Sequence, residues 1–407
     1  METTRRLTPR EQAQILVDGC EHVETHAELE ERIAGKGRLT VKLGIDPTGS
    51  FLHLGHAVVL HKMQQFVELG HRVVLIIGDF TGRIGDPTGR NDTRPPLTDE
   101  QIAANMRDYR EQAGKVLDLE RVEIAQNSTW LAKLGFGDLI GLLSHVTVAQ
   151  LLSRNDFAAR YQTSVPISLH ELLYPIAQAY DSVAIEADVE LGGSDQLFNL
   201  LMGREYQHRA GQRKQICMTT QILEGTDGVI RMGKSRGNYI GLTESSSEQF
   251  GKLMSVPDDL IPRYMQLAAF RPASEVEALA NALGNGSLHP MVAKKALAET
   301  IVARYHGLAE ARAARERFEA TVQRGELPGD MPQIRSGPWR TLAEALVGTG
   351  LAQSKREAER LVSGGGVKVD GVVAHDARGP WPGQAVLSVG ARRFVRVVPA
   401  EEGAPRA

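Results

Sequence analysis

The chain has 407 residues, 42% hydrophobic and 24% charged, which at roughly 150 residues per domain allows two to three domains with cores of their own and excludes wholesale disorder. Its net charge of −3 gives no bulk sign of nucleic-acid binding, so any such site must be local. Two cysteines, Cys20 and Cys217, exclude a disulfide scaffold and a structural zinc cluster and fit a reducing compartment.

Met1–Arg10 lacks the apolar core of a secretory signal, and a cytoplasmic protein is expected. Thr8-Pro9 reads as an N-cap followed by proline at the first helical position. Apolar residues at Ile15, Leu16, Val23, Leu29 and Ile33 extend one helical segment to Gly35 and Gly37. Leu39–Ile45 is a β-branched strand stopped by Asp46-Pro47. Helical spacing at Leu60, Met63, Phe66 and Val67 predicts a helix over Leu54–Leu69. Arg72–Ile77 is a second apolar strand, and its run Val73–Ile77 is far short of a membrane span of about 18 residues. Gly78–Gly89 is glycine-rich. Strand, helix, strand at this spacing is a βαβ unit, and strands apolar throughout suggest a parallel sheet covered on both faces.

From Asp99 to about Ser182 the pattern is helical, and the capping box Ser168-Leu-His-Glu171 opens a helix to about Ala184. Val183–Leu191 reads as a strand, Gly192–Asp195 as a loop, Leu197–Tyr206 as a helix and Gln215–Leu223 as another strand. Thr243 to about Gly325 is helical, with breaks near Pro257, Pro272, Gly284 and Gly307. A linker rich in proline and glycine follows. The tail from Trp339 to Val398 predicts short helices, a triple-glycine turn and short Val-rich strands. From Arg340 to Val398 nine Lys/Arg face five acids, a local excess of +4. That excess suits either a solvated surface or contact with phosphates.

His53-Leu-Gly-His56 follows the first strand and opens a helix. Spacing i, i+3 puts both imidazoles on one face of the first turn, where free N–H groups and the helix dipole favour an anion. Gly55 lets a bulky group approach the backbone. Alone the pair also reads as two surface histidines; a zinc site lacks the accompanying glutamate or cysteines. Arg231-Met-Gly-Lys234-Ser235, continued by Arg236-Gly-Asn238, is a glycine-punctuated basic loop able to clamp a polyphosphate. Alone it is an ordinary exposed basic loop.

Together, in this order and spacing, the two resemble the HIGH and KMSKS signatures of class I aminoacyl-tRNA synthetases. Lys42–Thr48, Gly85–Gly89, Tyr174-x3-Gln178-x2-Asp181 and Gly192–Gln196 narrow the resemblance to the bacterial tyrosyl-tRNA synthetases. Tyr174, Gln178 and Asp181 share one helix face. Ser354-x2-Glu357-Ala-x-Arg360-x5-Gly366-x-Val-x-Val369 is similar to a small RNA-binding domain shared with a ribosomal protein. The resemblance runs nearly the full chain.

The resemblance implies a doubly wound parallel α/β domain (Rossmann-like) over 1–240, with a helical insertion near 115–185. An α-helical domain over 241–325, a linker over 326–338 and a small basic α/β RNA-binding domain over 339–399 follow. It implies that tyrosine and ATP form tyrosyl-adenylate and that tyrosine then passes to its tRNA. Magnesium arrives with ATP, no metal is bound by the protein itself, and a homodimer is expected. Thr48, His53, His56, Arg231, Lys234 and Ser235 are the implied catalytic set around the phosphates. Gly55, Asp195, Gln196, Met232 and Lys234 are implied for ATP; Gly44, Asp86, Tyr174 and Gln178 for the amino acid; Asp181 for the phenol hydroxyl. Lys355, Arg356, Arg360, Lys368, Arg392 and Arg393 are the implied tRNA contacts.

Three departures from the family pattern stand out. The familiar tyrosine that reads the substrate hydroxyl falls at Lys42. The ribose contacts fall at Leu43 and Val59. The first lysine and first serine of KMSKS become Arg231 and Gly233, which keeps a charge but replaces a point cation by a planar fork. A tryptophanyl enzyme and an RNA-binding protein with an inactive core are the rival readings. A Rossmann dehydrogenase is a further rival, but Asp46-Pro-Thr-Gly49 stands where GxGxxG would, and a lack of nicotinamide binding would settle it.

Overall fold

The computed structural model describes residues 7–47, 51–86, 98–324, 331–390 and 393–399. They fall into two compact units: residues up to 245 with 252–305, and residues 246–251 with those from 306 onward.

The first unit is built on a six-stranded sheet of β1 (Cys20–Glu24), β2 (Thr40–Ile45), β3 (Arg72–Ile77), β4 (Val122–Gln126), β5 (Val189–Gly193) and β6 (Ile216–Thr220). Its order is β1-β6-β5-β2-β3-β4. Five strands run parallel, and β1 closes the edge antiparallel to β6. From β2 the chain winds one way to β3 and β4, and later the other way through β5 and β6. The reversal lies between β2 and β5, and open α/β sheets bind ligands at the carboxyl ends of the strands flanking such a point. Val41, Val74, Leu191 and Met218 are buried in the sheet, and Leu60, Met63 and Phe66 pack from the Leu54–Glu68 helix.

Several elements differ from the sequence expectation. The expected first helix is two helices, Pro9–Val17 and His26–Lys36, with β1 between them. Gly19, at φ +73°, turns the chain out of the first, and Thr25 caps the second by accepting from the Glu28 N–H at 3.2 Å. β4 lies inside the stretch expected to be a helical insertion. Its sequence VEIAQ has no helix-breaking residue, and only pairing with β3 makes it a strand. Residues Val183 and Ala184 belong to the Tyr174–Ala184 helix rather than to β5, which begins only at Val189. The capping box sits where expected: the Glu171 carboxylate accepts from the Ser168 N–H at 2.9 Å, opening a short turn that leads into that helix.

Residues 246–318 carry the expected helices, including Ala273–Gly284, Pro290–His306 and Leu308–Phe318. The second unit ends in a five-stranded sheet of β7 (Gln333–Arg335), β8 (Val367–Val369), β9 (Val372–Val373), β10 (Ala385–Val389) and β11 (Arg393–Val398), ordered β7-β11-β10-β8-β9. Leu346, Ala358, Val362, Val367 and Leu387 form its core beneath two short helices, Leu342–Gly348 and Lys355–Ser363. β7 falls in the expected linker; it pairs in parallel with β11.

Candidate active site

β2 delivers Gly44, then Asp46, and Phe51, Leu52 and His53 lead into the Leu54–Glu68 helix. Thr48 lies outside the described residues. His53 occupies the N-cap of the Leu54–Glu68 helix and its N–H donates to His56 Nδ1 at 3.3 Å. The two rings lie 3.9 Å apart. Burial lowers His56 to about 4; burial, His56 and Arg231 together lower His53 to about 2. Both imidazoles are therefore neutral at physiological pH. His53 Nδ1 is buried and has no hydrogen-bond partner among the described residues. A Cβ on Gly55 would stand 3.1 Å from the His53 ring and 3.7 Å from Met232 Cβ. Glycine here leaves room for the His53 ring, while toward Met232 of the basic loop a side chain would make only ordinary contact.

The two signatures are joined by backbone. Leu54 N–H donates to Ile240 O and Leu242 N–H to Leu52 O, each at 3.0 Å. Arg231 forms an ion pair with Asp195. The Lys234 ammonium lies 4.2 Å over the Phe51 ring, which in turn contacts Tyr239 at 4.8 Å. Asn238 staples the base of the loop: its oxygen accepts from Gly233 N–H at 2.9 Å and its amide donates to Asp227 at 2.7 Å. The side chain of Ser235 is outside the described atoms.

Next to these residues polar side chains converge past the carboxyl ends of four strands: Asp46 after β2, Thr81 after β3, Asn127 after β4 and Gln196 after β5. Asp181 is 4% exposed. It accepts from Trp130 Nε1 at 2.7 Å and Asn127 Nδ2 at 3.3 Å. Burial raises its carboxyl to about 6, with Lys42 and the two hydrogen bonds pulling it back. Tyr174 donates its hydroxyl to Asp46 at 2.9 Å, and Thr81 donates to the other Asp46 oxygen at 2.7 Å. Burial lifts Asp46 to about 7; it also holds the Tyr174 phenol well above its ordinary value, so Tyr174 stays a donor. A Cβ on Gly78 would collide with both Asp46 and Thr81. Gly44 has open space beside it.

Asp86 accepts from Gln196 Nε2 at 2.8 Å and from Arg154 at 3.4 Å. Gln178 points its oxygen at Asn199 Nδ2, 2.9 Å away, and its amide at Glu190, also 2.9 Å. Asp195 is raised by burial and pulled back by Arg231. Lys42, Leu43 and Glu190 are buried in the sheet beneath the pocket. His53, His56, Met232, Gly55 and Arg231 thus gather at one end, and Asp86, Tyr174, Gln178, Asp181 and Gln196 at the other.

Sequence reasoning missed Asn127, Trp130, Thr81, Arg154, Asn199 and Glu190. Asn127 and Trp130 follow β4, so overlooking that strand hid them. Glu190 carried a signal: a carboxylate in the middle of a strand buried on both faces must have a partner. In the tail, Arg356, Arg360, Lys368 and Arg393 are exposed, Lys355 pairs with Glu344 at 2.9 Å, and Arg392 is outside the described residues.

Residues 34–323 match the model of the class I tRNA synthetases (W and Y), and 340–378 match the S4 domain. The tyrosine–tRNA ligase of Thermotoga maritima is 48% identical over 393 residues, covering 96% of this chain and 98% of that one. The chain belongs to the bacterial tyrosyl-tRNA synthetases. The tyrosine–tRNA ligase of Moorella thermoacetica agrees, at 49% identity over 92% of this chain and 91% of its own. Among solved structures, the tyrosyl-tRNA synthetase of Archaeoglobus fulgidus, complexed with L-tyrosine, matches 75% of this chain and 99% of its own. Its TM-score is 0.63 and its identity 23%, a likeness of fold. The family places the S4 domain in the basic tail, as the tail's motif implied.

Proposed function

We propose that this chain activates tyrosine with ATP and transfers it to tRNA, with the residues above in stated roles. The observation that carries the reading is the seat at the head of the Leu54–Glu68 helix. There a buried neutral imidazole pair, with His53 Nδ1 left unpartnered, meets the basic loop at the sheet's switch point. One tyrosine carboxylate oxygen attacks the α-phosphorus, the bond to the β-phosphate oxygen breaks, and pyrophosphate leaves with the negative charge. No proton has to move, so catalysis is positioning plus charge stabilisation. His53, His56, Arg231, Lys234, Thr48 and Ser235 hold the phosphates, and magnesium travels with ATP. Gly55, Met232, Asp195 and Gln196 line the nucleotide side.

Asp86, Tyr174 and Gln178 hold the α-ammonium beside Gly44, and Asp181 accepts from the phenol hydroxyl. A phenol at the Asp181 carboxylate is paired; the phenyl ring of phenylalanine would leave that buried acceptor short of a donor. The general case of such rejection is well known for enzymes of this class, at about 10⁵. In the second step a ribose hydroxyl at the tRNA end attacks the tyrosyl carbonyl carbon and AMP leaves.

The same reading assigns 1–240 to the chemistry and 241–325 with 339–399 to tRNA, with Lys355, Arg356, Arg360, Lys368, Arg392 and Arg393 toward phosphates. Homodimer formation is supported by the Phe136–Leu143 helix, which buries none of its residues and exposes Phe136 at 80% and Ile140 at 54%. No helix among the described residues is long and apolar enough to cross a membrane, in keeping with work in the cytoplasm.

The test is amino-acid-dependent ATP–pyrophosphate exchange with tyrosine, tryptophan and phenylalanine in separate reactions. Exchange with tyrosine alone is expected. Exchange with tryptophan would reassign Asp181, and no exchange from folded protein would leave RNA binding as the function.

A further inference from the structure

Lys42 and Glu190 are direct register neighbours on the parallel strands β2 and β5. Both side chains are 1% exposed, and Lys42 Nζ lies 3.1 Å from Glu190 Oε1. A charged pair in the centre of a sheet, flanked by Val74 and Cys217, costs several kcal/mol per ion unless every donor and acceptor is used. Here they are used mainly on one helix. Lys42 Nζ donates to the Gln178 carbonyl at 3.0 Å. Gln178 Nε2 donates to the same Glu190 oxygen as Lys42, at 2.9 Å, and Ser182 donates to the other oxygen at 3.2 Å. Gln215 also donates to Glu190. Room for this cluster depends on Gly203, where a Cβ would stand 2.5 Å from Gln215, 2.9 Å from Ser182 and 3.2 Å from Glu190.

Gln178 and Ser182 flank Asp181 on the Tyr174–Ala184 helix. The pair therefore grips the helix on both sides of the residue assigned to the phenol, and takes the amide of the residue assigned to the ammonium. With the amide engaged, the Gln178 oxygen is fixed on the pocket side, where Asn199 holds it.

We propose that Lys42 and Glu190 are positioning residues of the tyrosine pocket: together they orient Gln178 and balance the charge behind Asp181. Lys42 thus serves the pocket from below, in the position where the family pattern has a tyrosine. The inference rests on the proposed activation of tyrosine.

The two members act on Asp181 with opposite sign. Lys42 favours its ionised form and Glu190 disfavours it. The other titratable groups facing Asp181 are Asp46 at the end of β2 and Tyr174 on the same helix, with Asp86 beside those two; Cys217 lies against the pair itself. The shifts of Asp46 and Tyr174 come from burial and from groups other than 42 and 190, and burial keeps the Cys217 thiol protonated at acid pH, so a difference in the acid limb between variants belongs to the pair. The acid limb of kcat/KM reports groups of the free enzyme.

The experiment is tyrosine-dependent ATP–pyrophosphate exchange from pH 5 to 9 for wild type, Lys42→Met, Glu190→Gln and the double variant. Lys42→Met should move the acid limb of kcat/KM for tyrosine up by about one pH unit, and Glu190→Gln should move it down. The double variant should return the limb near its wild-type position. It should still raise KM for tyrosine at least about fivefold, since Lys42 no longer holds the Gln178 carbonyl and a neutral amide replaces the charged acceptor of its Nε2, with KM for ATP within about twofold. The double variant also leaves no lone buried charge, so it folds if a single variant does not, and its KM split then decides. Limbs that stay together, or equal rises in both KM values, would overturn the inference while wild-type exchange upheld the function. A wild type inactive with tyrosine would overturn both.

Discussion

In the proposed function, selectivity rests on one carboxylate, that of Asp181. Its two oxygens are held by Trp130 and Asn127, so it presents a fixed acceptor to the phenol. Burial has raised it to about 6. Above that pH it is ionised and able to accept from the phenol of the proposed substrate; below, it takes up a proton and its charge is lost. Tyrosine kcat/KM should therefore fall as pH drops through about 6. A hydrogen bond to a charged group is worth about 1.5–3 kcal/mol, or roughly 10- to 150-fold at 1.36 kcal/mol per decade. Asp181→Asn should raise KM for tyrosine within that range and leave KM for ATP nearly unchanged. Steady-state exchange kinetics check it: equal loss for both substrates would remove Asp181 from the pocket.

Among elements, the Phe136–Leu143 helix behaves least like part of a monomer. Phe136, Ile140 and Leu143 recur at i, i+4 and i+7, the spacing of one helix face. All three are exposed, and Trp130, which donates to Asp181, precedes this helix by six residues in the chain. A partner copy covering this face would brace the segment that carries Asn127 and Trp130. Ile140→Asp, at a position already 54% exposed, should leave the fold intact and shift the protein to the mass of one chain in sedimentation. A wild type that sediments as a single chain would dismiss the face as an interface. The legible part of this element was its helicity. Its exposure was not legible, because periodic apolar residues read the same whether they face a core or a second copy.

For the whole molecule, the tail sheet sets where the RNA-binding part begins. β7 is hydrogen-bonded alongside β11, so a cut at Pro338 would strip a strand from the domain meant to be kept or removed whole. Deletion from residue 325 onward should spare tyrosine-dependent exchange. It should weaken tRNA charging and flatten its salt dependence, because phosphate contacts leave with the basic tail. Charging assays across a salt series measure this. Loss of exchange as well would mean that the tail supports the catalytic unit.

Chain-local signals were enough for much of this protein. The strands Thr40–Ile45 and Arg72–Ile77, the Leu54–Glu68 helix, the imidazole pair at its head and the basic loop all declare themselves in runs of a few residues. Local chemistry dictates them: apolar continuity, a cap, a glycine at a turn. Tertiary structure decided the rest. β1 and β4 are strands because β6 and β3 offer them edges; their own residues do not demand it. Lys42 and Glu190 lie nearly 150 residues apart in sequence, roughly the length of a domain. Only the parallel register of β2 and β5 makes them neighbours, and only their mutual burial makes each tolerable in the sheet.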